Sequence, residues 1–121
     1  MLKLSDDVIR IDAEDDTAMR WIQAQLAVHD NGNWSTGVLT PTMRNGVYQK
    51  VTNAGAFRLT PPRESGEMLI LLVNGSAAGT VTTSDFDKVT GSSLTTTSGH
   101  AFIGAVRVIE TWSWLNWQAM Q

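Results

Sequence analysis

The sequence predicts a mainly β protein, a compact antiparallel sandwich or barrel-like domain, and three observations carry that prediction. Short β-branched or aromatic runs recur between Gly46 and Trp117, broken by Gly, Pro and Asn at the spacing of about 8–12 residues typical of such folds. Phe57 and Leu59 alternate with Arg58 and Thr60 before Pro61-Pro62, the pattern of a half-buried strand closed by residues that cannot donate to a ladder. The run Met68-Leu69-Ile70-Leu71-Leu72-Val73 is apolar throughout, which predicts a strand covered on both faces.

The elements follow in order. Residues 1–33 form an acidic N-terminal arm, and residues 34–121 the β domain. In the arm, Val8, Ile9 and Ile11 suit a short extended segment among Asp6, Asp7 and Asp12. From Asp16, Met19, Ile22 and Leu26 share one face at helical spacing, and the acids before them complement the positive end of a helix dipole. A hairpin reading competes: Ile22, Ala24, Leu26 and Val28 line one strand face that turns at Asn31-Gly32, a strong hairpin signal.

Beyond the arm, Gly46 to Thr52 reads as a strand. Asn74-Gly75 and Ala78-Gly79 mark turns flanking the short strand Thr80-Val81-Thr82. The threonine-rich stretch Ser92–Gly99 suits an edge strand or an ordered loop. From Val106 to Trp114 apolar and polar residues alternate, with Ile109 and Glu110 swapped, which reads as one final strand carrying a bulge. No internal repeat of fixed period is visible.

Composition narrows the function classes. A chain of 121 residues, 42% hydrophobic and 17% charged, fits one domain with a moderate core. The absence of cysteine removes disulfides, thiolate metal sites and cysteine nucleophiles together. A net charge of −3 supplies no footprint for nucleic acid. No apolar run reaches bilayer-spanning length, and Met1-Leu2-Lys3-Leu4 leads into acids rather than a signal-peptide core, so synthesis in the cytoplasm is expected.

No cluster of polar residues forms a catalytic motif. A calcium loop begun at Asp12 would need glycine and glutamate where Thr17 and Gln23 stand. No Gly-x-Ser-x-Gly elbow occurs, Gly75–Gly79 lacks the lysine of a phosphate loop, and His29 and His100 lie far apart beside turn residues. No catalytic residue, cofactor or metal is therefore expected. Tryptophan stands out instead. There are five, and Trp112 and Trp114 share a strand face that excludes Trp117. Core packing, burial between subunits and a sugar-stacking platform are the three readings of that pair. Burial of Trp112 and Trp114, in the core or between subunits, is the expectation.

The stretch from about Thr40 onward resembles a β module of bacteriophage virion proteins of the tail-fibre, head-fibre and capsid-decoration types. The resembling residues are Tyr48–Thr52, Phe57–Pro62, the Gly66 turn into the apolar strand, Asn74-Gly75 through Gly79–Thr82, Phe86–Gly91, Leu94–Thr97 and a last strand rich in Trp. The turn Asn74–Ala78 is shorter and less acidic than in such modules. The resemblance implies a non-enzymatic virion component, commonly trimeric, assembled in the host cytoplasm. With a short arm and no shaft, a capsid decoration or cement protein fits best. In that role Asp6, Asp7, Val8, Ile9 and Ile11 would dock on the major capsid protein or another virion protein, while Trp112 and Trp114 pack between subunits. The alternative is a tail- or head-fibre receptor-binding module that holds a surface glycan on those tryptophans. No membrane partner is expected in either case.

Overall fold

The computed structural model describes residues 27–121. The docking residues expected at Asp6, Asp7, Val8, Ile9 and Ile11, and the helix expected from Asp16, lie outside the described residues. The described chain is mainly β, as the sequence predicts, with a single 3-10 turn at Met43–Asn45. Nine strands run in order: β1 (Val28–Trp34), β2 (Val38–Leu39), β3 (Tyr48–Asn53), β4 (Phe57–Leu59), β5 (Gly66–Asn74), β6 (Val81–Thr82), β7 (Lys88–Gly91), β8 (Ala101–Ile109) and β9 (Trp112–Ala119). Because β1 starts at Val28, the sheet takes in residues on both sides of position 33.

Strand direction is mixed rather than antiparallel throughout. A six-stranded sheet has the order β1-β3-β5-β8-β9-β7, and a three-stranded sheet the order β2-β4-β6. The pairings β1–β3, β3–β5, β2–β4, β4–β6 and β7–β9 are parallel; β5–β8 and β8–β9 are antiparallel. The chain visits the large sheet, turns a corner into the small one, and returns one strand further along. Val28 lies beside Tyr48 and Tyr48 beside Leu69, steps of 20 and 21 residues. The first three turns of the chain are thus stacked coils. Their sequences share little beyond in–out alternation, so the repetition is geometric and invisible as a residue pattern.

The core lies between the sheets. Val51, Met68, Ile70, Leu72, Phe102, Val106, Leu115 and Trp117 from the large sheet meet Leu39, Phe57 and Leu59 from the small one, all buried. Alternation in β4 is as expected, with Phe57 and Leu59 in and Arg58 out. Arg58 reaches Asp85 at 2.9 Å, tying the small sheet to the turn before β7.

The strand expected to be covered on both faces is covered on one. Met68, Ile70 and Leu72 are buried, but Leu69 is 42% exposed and Leu71 and Val73 are half-buried. No second layer lies on that side among the described residues. The single final strand expected from Val106 to Trp114 is instead a hairpin. Glu110 takes a left-handed conformation (φ 55°), and its N–H donates to Ser65 Oγ at 2.9 Å. The break in alternation at Ile109-Glu110 marks the turn itself. Asn31-Gly32, read as a hairpin turn, is a bulge inside β1, where pairing with β3 slips between Asp30 and Asn33. Gly32 has φ 86°, and its N–H is satisfied by Asp30 Oδ1 at 2.8 Å, so one left-handed residue is absorbed without reversing the chain.

Buried amides stitch the coils together. The Asn53 side chain donates to Asn74 Oδ1 at 3.2 Å and to the Gly79 carbonyl at 2.8 Å, and accepts from the Gly55 and Gly79 N–H groups. Asn74 donates onward to the Thr95 and Thr97 carbonyls. That holds Ser92–Gly99 as an ordered loop. Gly79 must be glycine for steric reasons, since a Cβ there would sit 2.3 Å from the Ala56 nitrogen of the coil below.

At the other end of the coils Glu64 fixes the 3-10 turn, accepting from the Met43 N–H at 2.8 Å and Thr42 Oγ1 at 3.0 Å. The Met43 N–H, and then the Thr42 hydroxyl, hold the Glu64 carboxyl below its ordinary value of 4.5. A depressed folded pKa contributes stability that is full above the unfolded value and is lost as pH falls through the lowered one. The wild-type melting temperature should therefore fall on acidification through this window by more than that of Glu64→Gln. Parallel melting curves for the two proteins would discount the contact.

Candidate interaction face

Strand alternation gives the six-stranded sheet an inner face and an outer face. Register places Val28, Tyr48, Leu69, Ala105, Asn116 and Thr90 in one row across all six strands of the outer face. The neighbouring row is Asp30, Lys50, Leu71, Ile103 and Gln118, and on the other side lie Glu67, Arg107, Trp114 and Lys88. Apolar side chains fill most of the first row, and the Glu67–Arg107 pair, on the two central strands, stands between that row and Ile109 and Trp112. Val28, Tyr48, Leu69, Ile109, Trp112 and Trp114 are all substantially exposed. Exposed apolar side chains gathered on one sheet face in this way mark an interaction surface more often than accident.

One part of this face is held rigid. Arg107 Nε lies 3.3 Å from Glu67, and its guanidinium stacks 4.9 Å from the centroid of Trp114. The Trp114 indole N–H donates to Thr90 Oγ1 at 3.0 Å, and that hydroxyl donates to Asn116 at 2.8 Å. Glu67, Arg107, Trp114 and Thr90 come from four adjacent strands. Each exposed contact is worth about 1 kcal/mol or less. Their effect is to fix the indole before anything binds. Asp87 and Ser113 bracket each other at 2.8–3.2 Å and hold the start of β7 against β9, which sets Lys88 beside Trp114.

Two depressions lie on the face. One, about 600 Å³, is bounded by Arg107, Ile109, Trp112, Trp114, Asp87 and Lys88. The other, about 280 Å³, has Val47, Tyr48, Leu69 and Ala105 as its walls, with Glu67 and Arg107 at the rim. A third cleft of about 410 Å³ lies elsewhere, lined by hydroxyls including Thr80, Thr90, Ser92 and Thr95.

Of the two burials expected for Trp112 and Trp114, in the core or between subunits, the first does not hold. Trp112 is 71% and Trp114 40% exposed, so neither is buried in this chain's own core. Trp117 is the core residue, 3% exposed, its ring lying over Gly104, where a Cβ would meet Cζ3 at 2.8 Å. The shared face of Trp112 and Trp114 is correct, but it is the outer one. Their packing between subunits concerns contacts outside a single chain. Tyr48, Leu69, Arg107 and Ile109 belong to this face without a sequence motif that marks them. The signal for Leu69 was present in the unbroken apolar run, which needs a cover on both sides.

Among the described residues no three His, Cys, Asp or Glu side chains are grouped as metal ligands would be. His100 Nδ1 is engaged by Thr95 Oγ1 at 2.8 Å, and His29 lies on β1 beside Gln49. Comparison with models of known families, with curated proteins and with solved structures found no match.

Proposed function

We propose that this chain is a non-enzymatic structural protein of a bacteriophage particle, a capsid decoration or cement protein that works by burying the outer face of its six-stranded sheet against other virion subunits. The observation that carries the association reading is that face: an apolar cluster of Tyr48, Leu69, Ile103 and Ala105, beside a pre-set Trp114 stacked on the central Arg107. Exposed aromatic and arginine side chains grouped on one face are the residues enriched at protein interfaces. The virion setting rests on the resemblance of the stretch from Thr40 onward, and the partners it suggests are copies of this chain and the major capsid protein. The acidic arm, with Asp6, Asp7, Val8, Ile9 and Ile11, is the second docking element in this proposal.

The exposed Trp112 and the braced Trp114 favour one other reading, a glycan-stacking platform on a fibre-type receptor-binding module. The double variant Leu69→Lys/Trp112→Lys separates the two. Both side chains are outward, so the variant should melt close to wild type yet lose occupancy on the particle. Wild-type occupancy by this variant would reject the structural proposal. Trp112-dependent glycan-array binding by a protein that ignores the particle would install the receptor reading in its place.

A further inference from the structure

The outer face carries both a projection and a hollow. The projection is the tip of the β8–β9 hairpin, where Ile109 and Trp112 form a cross-strand pair beside the Glu110-Thr111 turn and are 73% and 71% exposed. The hollow is the depression of about 280 Å³ between Tyr48, Leu69 and Ala105, a few residues back along β8.

We propose that the Ile109–Trp112 knob of one copy seats in the Tyr48–Leu69–Ala105 recess of a second copy. The inference rests on the association reading above and names its occupant and its contact. Three features support a second copy of this chain. First, the knob is a large apolar surface that a single chain leaves in water; a tryptophan buries about 150–250 Å² when enclosed. The recess offers apolar walls on the scale of one such side chain.

Second, the charges do not oppose a like copy: Asp87 and Lys88 flank the knob, the Glu67–Arg107 ion pair stands at the rim of the recess, and each set is neutral. Third, the area suffices. Six strands about 4.8 Å apart, four to nine residues long at about 3.3 Å per residue, present roughly 700 Å², close to the 800 Å² or so per partner of a standard interface. Every copy gives one knob and receives one, an arrangement that closes as a reciprocal pair or a small ring.

The test uses light scattering on the full chain at micromolar concentration. Trp112→Ala removes the knob, and Ala105→Trp fills the recess. Each alone should leave a monomer whose melting temperature matches that of wild type diluted to the monomer, with association weakened at least about 30-fold, as for a central hot spot. Mixed in equal amounts, the two should recover a two-chain species. The first variant still has its recess and the second its knob, so one contact can form.

If Ala105→Trp does not fold, Leu69→Lys blocks the recess from a more exposed position. Wild-type association by Trp112→Ala, or a mixture that stays monomeric, would overturn the pairing. Particle occupancy, measured on the same samples, keeps the two proposals apart. A monomeric wild type that occupies the particle rejects the knob contact alone. A knob-dependent oligomer that never binds the particle supports the contact and rejects the virion reading.

Discussion

Trp117→Ala should destabilise the protein by about 3–5 kcal/mol, the range for deleting a large buried aromatic. That is a large share of a small domain's total stability. Trp117 is 3% exposed and fills the space that Gly104 leaves open on the paired strand. Leu115 Cδ1 already borders that space, 3.0 Å from where a Gly104 Cβ would lie, and the backbone of β8 is held by ladders on both edges, so the hole cannot readily collapse. One term works the other way. The buried indole N–H finds no protein acceptor, and removing an unpaired donor recovers part of a cost of about 1–3 kcal/mol. Trp117→Phe keeps most of the ring volume and sheds that donor, so its cost should stay below about 1.5 kcal/mol. Trp112→Ala, at 71% exposure, should lie within about 0.5 kcal/mol of wild type in the isolated chain. Denaturant melts of the three variants check the order. A Trp112→Ala loss equal to that of Trp117→Ala would contradict the assignment of faces.

Asn53→Ala is the second large effect, about 2–4 kcal/mol. The side chain is 1% exposed and serves two coils at once through Asn74, Gly55 and both polar backbone groups of Gly79. Truncation leaves those groups without partners, and each buried unpaired group costs about 1–3 kcal/mol, less where water can reach it. Gly79 is only half-buried, which is why the total stays below the full sum. Asn53→Asp keeps the two accepted bonds but turns an acceptor toward Asn74 Oδ1 and the Gly79 carbonyl. It should be as damaging at neutral pH and partly recover in acid, where the introduced carboxyl can protonate and donate. Melting temperatures at two pH values test this; an Asn53→Ala variant as stable as wild type would show that the amide ladder contributes nothing net.

Residue patterns determined which side chains share a face: Phe57 with Leu59, Trp112 with Trp114 and apart from Trp117. They also determined that the protein is mainly β, because a period of two is a local property of the pleated backbone. Tertiary structure alone decided which face points inward. An apolar run such as Met68–Val73 looks the same whether its second face meets another layer, another subunit or water, and that placed the tryptophan pair outside and Trp117 within. Strand direction was equally hidden, since parallel and antiparallel ladders share one alternation, and stacked coils of 20 and 21 residues require only that inward positions coincide. Asn31-Gly32 and Ile109-Glu110 show the same limit at turns. A left-handed residue permits either a bulge or a reversal, and the pairing available to the flanking strands, a long-range matter, selects between them.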